Sequence, residues 1–175
     1  TIYLHCQYSY QNPSYYSSAN NHLISEYAGL FVAASFWKFP ESEQWLSHAK
    51  AGLEKEIVTQ HSADGVNKEE AAEYIQFITD FFLIPYVVAK NTNNRFTETY
   101  HNQLENILEY IYQMMDMRGN IPYYGDEDDG KVILLESDHS DNFKSLLTSG
   151  VVLFQRSRFN VTNSITLASS IEGMA

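Results

Sequence analysis

Apolar residues recur at three- and four-residue spacing along most of the chain, a pattern typical of amphipathic helices. The clearest helix is predicted to start after Thr97 as its N-cap and to run through Arg118, with Gly119 as its C-terminal stop. Four further helices are predicted at about 20–36, 41–60, 67–90 and 141–154. No strand alternation interrupts this series.

Several residues are predicted to mark the ends of these helices. Ser17 and Ser18 precede the first helix as candidate caps. Asn67 followed by Glu70 resembles a capping box and places the start of the third helix at Asn67. Pro85 lies inside that third helix and is expected to kink it or end it early.

The segments outside the helices carry weaker signals. Residues 119–130 are rich in turn formers, and Val132–Leu135 is an apolar run that reads as a strand or an extended segment. The acidic turn at 125–130 superficially resembles a calcium loop. However, Ser137 stands where an EF-hand needs a bidentate Glu, so a solvated turn is favoured.

The sequence therefore predicts an all-α fold of antiparallel helical hairpins, either part of an (α/α) toroid or a helical-repeat solenoid. No fixed-period repeat is visible to support the solenoid. With 175 residues, the chain is long enough for one compact domain, so 1–175 is taken as a single domain. Its Ser/Thr/Asn-rich end, at about 160–175, is expected to be a disordered tail.

Charge and composition narrow the classes of partner. Lys and Arg number 11 against 22 Asp and Glu, a formal charge of −11, which disfavours nucleic acid and anionic membranes. An acidic polymer would have to be held by local groups or by charges on other parts of the protein. Aromatic residues make up 14% of the chain, and they could stack on sugar rings or fill the core. The single cysteine, Cys6, cannot form an internal disulfide and is expected to be buried.

Two places have residue types suited to chemistry. Asn20, Asn21 and His22 stand at the start of a predicted helix, where backbone N–H groups and the helix dipole favour an anion such as a carboxylate. The alternative is that one asparagine only caps the helix. Tyr74 lies in the third predicted helix and could transfer a proton if its hydroxyl proton is shared or its pKa lowered. The alternative there is a core tyrosine.

Taken in order, these elements resemble a known family. The strings SSANNHLISEYAGLF, QHSADGVNKEEAAEY and GNIPYYGDEDDG are similar to the central part of the heparinase II/III-like polysaccharide lyases, including relatives that act on alginate. The resemblance covers about 15–130, and Asn-Asn-His is its most specific part. The separation of Asn21 and Tyr74 also agrees with that between the family's catalytic Asn and Tyr.

The resemblance implies β-elimination on a uronic-acid-containing polysaccharide. Asn21 and His22 would neutralise the substrate carboxylate, and Tyr74 would act as acid or base. Asn20 and Glu69 are expected to bind substrate. No metal or other cofactor is expected, and the expected partner is an acidic polysaccharide.

The resemblance also implies that the chain is an interior piece of a larger helical domain. Family members carry more helices before this region and a β-sandwich domain after it. The piece alone is therefore expected to be inactive and to self-associate, and the parent to be periplasmic or secreted. Two other interpretations remain: a non-catalytic carbohydrate-binding or scaffold domain, and an unrelated helical-repeat interaction module, which the ordered match disfavours.

Overall fold

The computed structural model describes residues 1–126, 130–133 and 141–161. These residues form six α-helices and two short 3-10 turns, at Tyr16–Ser18 and Ser157–Phe159, and contain no β-strand. The helices are α1 (Ile2–Gln11), α2 (Asn21–Phe36), α3 (Ser42–Thr59), α4 (Ala72–Asn91), α5 (Glu98–Met114) and α6 (Asn142–Phe154). The predicted all-α class is confirmed.

Contacts between neighbouring helices show that they run antiparallel. For example, Tyr27 in the first half of α2 lies against Gly52 in the second half of α3. Helix α2 packs on α1, α3 and α4, while α5 packs on α3 and α6. The starts of α2 and α4 lie at the same end of the array, because Glu69, just before α4, bonds Asn21, the first residue of α2. The middles of the two helices line one groove, so α2 and α4 run parallel. We call this end, marked by Asn21 and Ala72, the site end.

The core is built from the predicted apolar stripes. Trp45, Phe31, Phe82 and Tyr100 are among its largest fully buried side chains. Helices α2 and α3 approach closely at Gly52, where a Cβ atom would lie 2.6 Å from the Tyr27 ring. The buried aliphatic positions of the stripes include Leu23, Leu30, Leu53, Ile57, Leu104, Ile107, Leu108 and Ile111.

Helix α4 departs from the sequence prediction at its start and in its middle. It begins at Ala72 rather than Asn67, because the Asn67 side chain bonds groups within the preceding loop. Glu70 takes a left-handed conformation with φ 51°, so the predicted capping box is wrong. Pro85 does not end the helix, since α4 continues to Asn91 with Pro85 itself buried. Burial of Pro85 and its neighbours in the core offsets the one hydrogen bond that proline removes.

For α5, the predicted start is confirmed but the predicted end is wrong. Thr97 caps α5 as predicted, but α5 ends at Met114 and not at Arg118. Beyond it, the Asp116 carboxylate accepts hydrogen bonds from the backbone N–H groups of Arg118 and Asn120. This local turn competes with the helix and places Gly119 within the turn.

Two further expectations concern the remaining segments. Cys6 is a free, buried cysteine, as expected. The central part of the acidic turn, most of the Val132–Leu135 run and nearly all of the expected tail lie outside the described residues; Val132 and Ile133, which are described, are not in a strand.

Helix α4 is the one described helix long and apolar enough, by composition, to cross a membrane. Of its most apolar window, 67% is buried against the rest of the protein. Core helices pass the same test because they are apolar on most sides.

Two titratable groups give the fold opposing responses to pH. Loss of hydration lowers the pKa of His61 to about 4, although its hydrogen bond to the Ile57 carbonyl partly opposes this. Loss of hydration also raises the pKa of Asp80 to about 7. As pH falls below about 6.5, His61 takes up a proton in the unfolded chain but not yet in the folded protein. The folded state is therefore progressively destabilised towards pH 4. As pH rises above 3.8, Asp80 loses its proton in the unfolded chain but not yet in the folded protein. Asp80 therefore destabilises the folded state progressively towards pH 7.

We therefore expect the Asp80→Asn protein to gain stability as pH rises from about 4 to 6.5, because the His61 response remains and the opposing Asp80 response is removed. The slope should approach, but not exceed, about 1.4 kcal/mol per pH unit. The free energy of unfolding, from urea titrations followed by circular dichroism across this range, measures it. The His61→Gln protein is the control and should show the opposite slope. Two variants with the same pH profile would contradict this assignment.

Candidate active site

Helix α2 begins at the Asn-Asn-His element. Asn20 is the N-cap, and its side chain accepts a hydrogen bond from the His22 backbone N–H at 3.3 Å. Asn21 is then the first helical residue, and the His22 side chain is exposed. The capping alternative is thus realised for Asn20, while Asn21 and His22 remain at the positive end of the helix dipole.

Glu69 reaches the start of α2 from the loop that leads into α4. Its Oε1 accepts the Asn21 backbone N–H at 3.2 Å, and its Oε2 accepts Asn21 Nδ2 at 3.4 Å. Because an ionised carboxylate only accepts hydrogen bonds, the nitrogen of the Asn21 amide must face Glu69. This contact fixes which way round the amide is held.

Behind Glu69 lies a buried polar pair, Asn67 and His61, whose exposed fractions are only 2% and 4%. Asn67 Oδ1 accepts the Glu69 backbone N–H at 2.9 Å, and Asn67 Nδ2 lies 3.2 Å from His61 Nε2. His61 Nδ1 lies 3.0 Å from the Ile57 carbonyl oxygen, which can only accept. His61 therefore carries its proton on Nδ1 and accepts from Asn67 at Nε2. We call these residues, with Glu69, the His61–Asn67–Glu69 network.

A second contact ties the same loop to the chain ahead of α2. The Gln60 side-chain amide donates to the Ala19 carbonyl at 2.6 Å and to the buried Glu56 carboxylate at 2.9 Å. The loop at 60–71 is therefore bonded to Ala19, just before the Asn-Asn-His element, and to Asn21 within it.

Tyr74 is the third residue of α4 and is half-buried, with its ring 5.0 Å from that of Phe77. Within the described part of the chain, its hydroxyl makes no hydrogen bond. Phe81, two helical turns further on, lines an apolar groove of about 370 Å³ between α2 and α4, together with Ser25 and Gly29. Ser25 is one turn after Asn21. Asn21 and Tyr74 thus stand at the site end of two helices that border one groove.

The structure accordingly brings Asn20, Asn21 and Glu69 together and sets Tyr74 on the neighbouring helix. No hydrogen bond links Asn21 with Tyr74 in the described residues. His22 faces solvent. The assigned roles of all five residues stay predictions from the resemblance.

The turn near residue 125 supports the start of α4. The Tyr124 carbonyl accepts the Ala72 backbone N–H at 2.9 Å, one of the N–H groups that a helix start leaves unpaired. Burial, reinforced by a hydrogen bond with the Tyr110 hydroxyl, raises the pKa of Tyr124. Gly125 has φ 74°, and a Cβ there would lie 2.6 Å from the Ala71 Cα atom. The turn therefore fixes the backbone just before Tyr74.

A separate polar cleft of about 380 Å³ lies at the same end, between the starts of α4 and α6. Glu73, Gln76, Asn120, Lys131 and Asn142 are among its lining residues. Among the described residues, no three His, Cys, Asp or Glu side chains are grouped so as to hold a metal ion.

Sequence reasoning missed His61, Asn67, Gln60 and Tyr124 as parts of the site. Their only local signal is a run of polar residues between two apolar stripes, which is also what a solvated loop shows. Gly125 is visible in the sequence, but its positive φ, which marks the turn that supports α4, is known only from the structure.

Comparison with known proteins agrees with this fold. The chain matches the heparinase II/III N-terminus family over residues 2–147. It is 30% identical over 124 residues to a heparin-sulfate lyase of Pedobacter heparinus, covering 70% of this chain and 19% of the lyase. A solved heparinase III superimposes with a TM-score of 0.69 at 18% identity, covering 88% of this chain and 23% of that one. The chain thus spans about a fifth of the length of these relatives.

We expect Gly125→Ala to destabilise the protein, because the new Cβ would meet the Ala71 backbone and the residue would be strained at positive φ. A loss of about 1–3 kcal/mol is expected, seen as a lower midpoint of thermal unfolding. Gly29→Ala is the matched control: nothing lies within 4 Å of the added atom, and a helical alanine should gain about 0.5–1 kcal/mol. Equal midpoints for the two variants would show that the turn does not pack on Ala71 as described.

Proposed function

Because the chain belongs to the heparinase II/III family through its N-terminal domain, we propose that it supplies one wall of the active site of a polysaccharide lyase. The observation that carries the proposal is the site end. Asn21 is held there by Glu69 at the start of α2, and Tyr74 stands at the start of the parallel helix α4.

The proposed reaction is β-elimination next to a uronic acid carboxylate. A base removes the C5 proton, the electron pair forms the C4–C5 double bond, and the bond from C4 to the glycosidic oxygen breaks. An acid returns a proton to the departing oxygen. The product ends in an unsaturated uronate, and no oxidant or reductant is needed.

Asn21 and His22 suit the first part of this reaction. The C5 proton becomes acidic enough to remove only when the neighbouring carboxylate is neutralised by hydrogen-bond donors. The Asn21 amide, the exposed imidazole of His22 and the dipole of α2 all favour an anion at this place. They provide local attraction in a chain whose formal charge is −11.

Tyr74 suits the proton transfers. Its hydroxyl has no hydrogen-bond partner among the described residues, so nothing there competes with a substrate for it. The half-buried ring is held against Phe77, which limits its motion. A tyrosine held in this way can pass a proton to or from a bound sugar.

The substrate class follows from the relatives. One is named a heparin-sulfate lyase and another a heparinase III, so a glycosaminoglycan containing uronic acid is our first choice, with an alginate-like polymer second. Since this chain spans about a fifth of those relatives, we propose that activity requires the rest of the parent protein, including a β-sandwich domain. A periplasmic or secreted location is proposed for the parent.

A second candidate is a domain that binds carbohydrate without cleaving it. The observation that favours it is the row of partly exposed aromatic side chains on α4, where Tyr74, Phe77 and Phe81 follow one another with ring centroids 5.0 and 6.0 Å apart. Such a row offers flat surfaces for sugar rings.

Replacing Tyr74 by Phe in the parent protein distinguishes the two candidates. The change removes only the hydroxyl, so the rate should fall by about 100-fold or more while substrate binding stays nearly unchanged. The measurement is far-ultraviolet absorbance of the unsaturated product on heparin, heparan sulfate, hyaluronan and alginate. Tyr8→Phe is the control, because Tyr8 is 69% exposed on α1, and it should leave the rate unchanged. Binding without turnover by the wild-type parent, on every polymer, would favour the binding domain.

A further inference from the structure

The strongest unassigned feature is the direction of the hydrogen bonds in the His61–Asn67–Glu69 network. The Ile57 carbonyl accepts from His61, His61 accepts from Asn67, Asn67 accepts from Glu69, and Glu69 accepts from Asn21. Every link therefore runs in one sense, from a donor nearer Asn21 to an acceptor nearer the core.

We propose that Glu69 is a positioning residue that selects one orientation of the Asn21 amide, and that the buried Asn67–His61 pair holds Glu69 in place. The inference rests on the proposed function, because it concerns how Asn21 meets a substrate carboxylate.

The orientation matters because the two ends of an amide are chemically opposite. A uronate carboxylate accepts hydrogen bonds only, so it is attracted by Nδ2 and repelled by Oδ1. With one Nδ2 hydrogen bonded to Glu69, the other remains as the side-chain donor for the substrate. Without Glu69, the amide could turn over and present its oxygen to the carboxylate.

The burial of Asn67 and His61 explains why one orientation of the Asn21 amide would be strongly preferred. Asn67 and His61 are almost fully buried, and a buried polar group left without a partner costs about 1–3 kcal/mol. Because His61 is neutral, its Nε2 must accept, so Asn67 must turn its nitrogen towards His61. That leaves Asn67 Oδ1 for the Glu69 backbone and fixes where Glu69 stands.

A carboxylate at this place also has an electrostatic cost that a purely structural cap would avoid. Asn20 already caps α2 with a neutral side chain. A second, charged acceptor beside a site for a carboxylate substrate repels that substrate. The cost is reasonable if the carboxylate orients Asn21, which a neutral glutamine could not do, because its amide offers both a donor and an acceptor.

Glu69→Gln in the parent lyase tests this. Glutamine has nearly the same shape, but it can also bond Asn21 in the reversed orientation. We expect kcat to fall by about 10- to 100-fold, as for a misplaced catalytic group, with KM changed far less. Glu69→Asp, which keeps an acceptor-only group, should recover part of the loss.

Glu26→Gln is the matched control. Glu26 lies on α2, the helix that begins at Asn21. Like Glu69, its carboxylate accepts two hydrogen bonds from one residue: the backbone N–H and the hydroxyl of Ser14 donate to it at 2.8 and 2.6 Å. Its replacement should lower the unfolding temperature without changing kcat.

The outcomes separate the two proposals. If Tyr74→Phe abolishes turnover while Glu69→Gln keeps the wild-type kcat, the positioning role is wrong and the lyase proposal stands. The same holds if Glu69→Gln only lowers the unfolding temperature, which would make Glu69 a structural cap. If the wild-type parent cleaves none of the polymers, the lyase proposal fails and the positioning role fails with it.

Discussion

The hydrogen bonds between Glu69 and Asn21 join the loop before α4 to the start of α2. The candidate site depends on these two segments lying close together. The loop at 60–71 connects α3 to α4, yet its polar groups also bond the start of α2, the side chains of α5 and one another. Buried polar groups must find partners within the protein. That requirement links the starts of α2 and α4, and so places Asn21 and Tyr74 at one end of the helical array.

Much of the fold could be predicted from periodicity. The stripes at three- and four-residue spacing gave the positions of five helices, and Thr97 proved to be a cap, as predicted. The errors fall where side chains have competing partners. Asn67 looked like a cap but bonds His61 and Glu69 instead, and Asp116 turns the chain soon after α5 ends. Pro85, which is buried, does not end α4.

The candidate site was less accessible from the sequence. Residue types singled out Asn21, His22 and Tyr74, but each had a capping or core alternative that periodicity could not exclude. The family resemblance assigned their roles and added Glu69. The direct contact of Glu69 with Asn21 joins residues 48 positions apart, and no local pattern predicts such a contact. At 18% identity to the solved heparinase III, the fold is kept, which agrees with a core specified by pattern and volume more than by particular residues.

The account depends most on Asn21 and Tyr74 acting on the same sugar. A crystal structure of the parent protein carrying Tyr74→Phe, soaked with a uronic oligosaccharide from a cleaved polymer, tests this directly. The account predicts the uronate carboxylate within hydrogen-bond distance of Asn21 Nδ2, and C5 of that sugar facing the ring at position 74. A sugar bound instead only in the polar cleft lined by Gln76 and Lys131, away from Asn21, would contradict it.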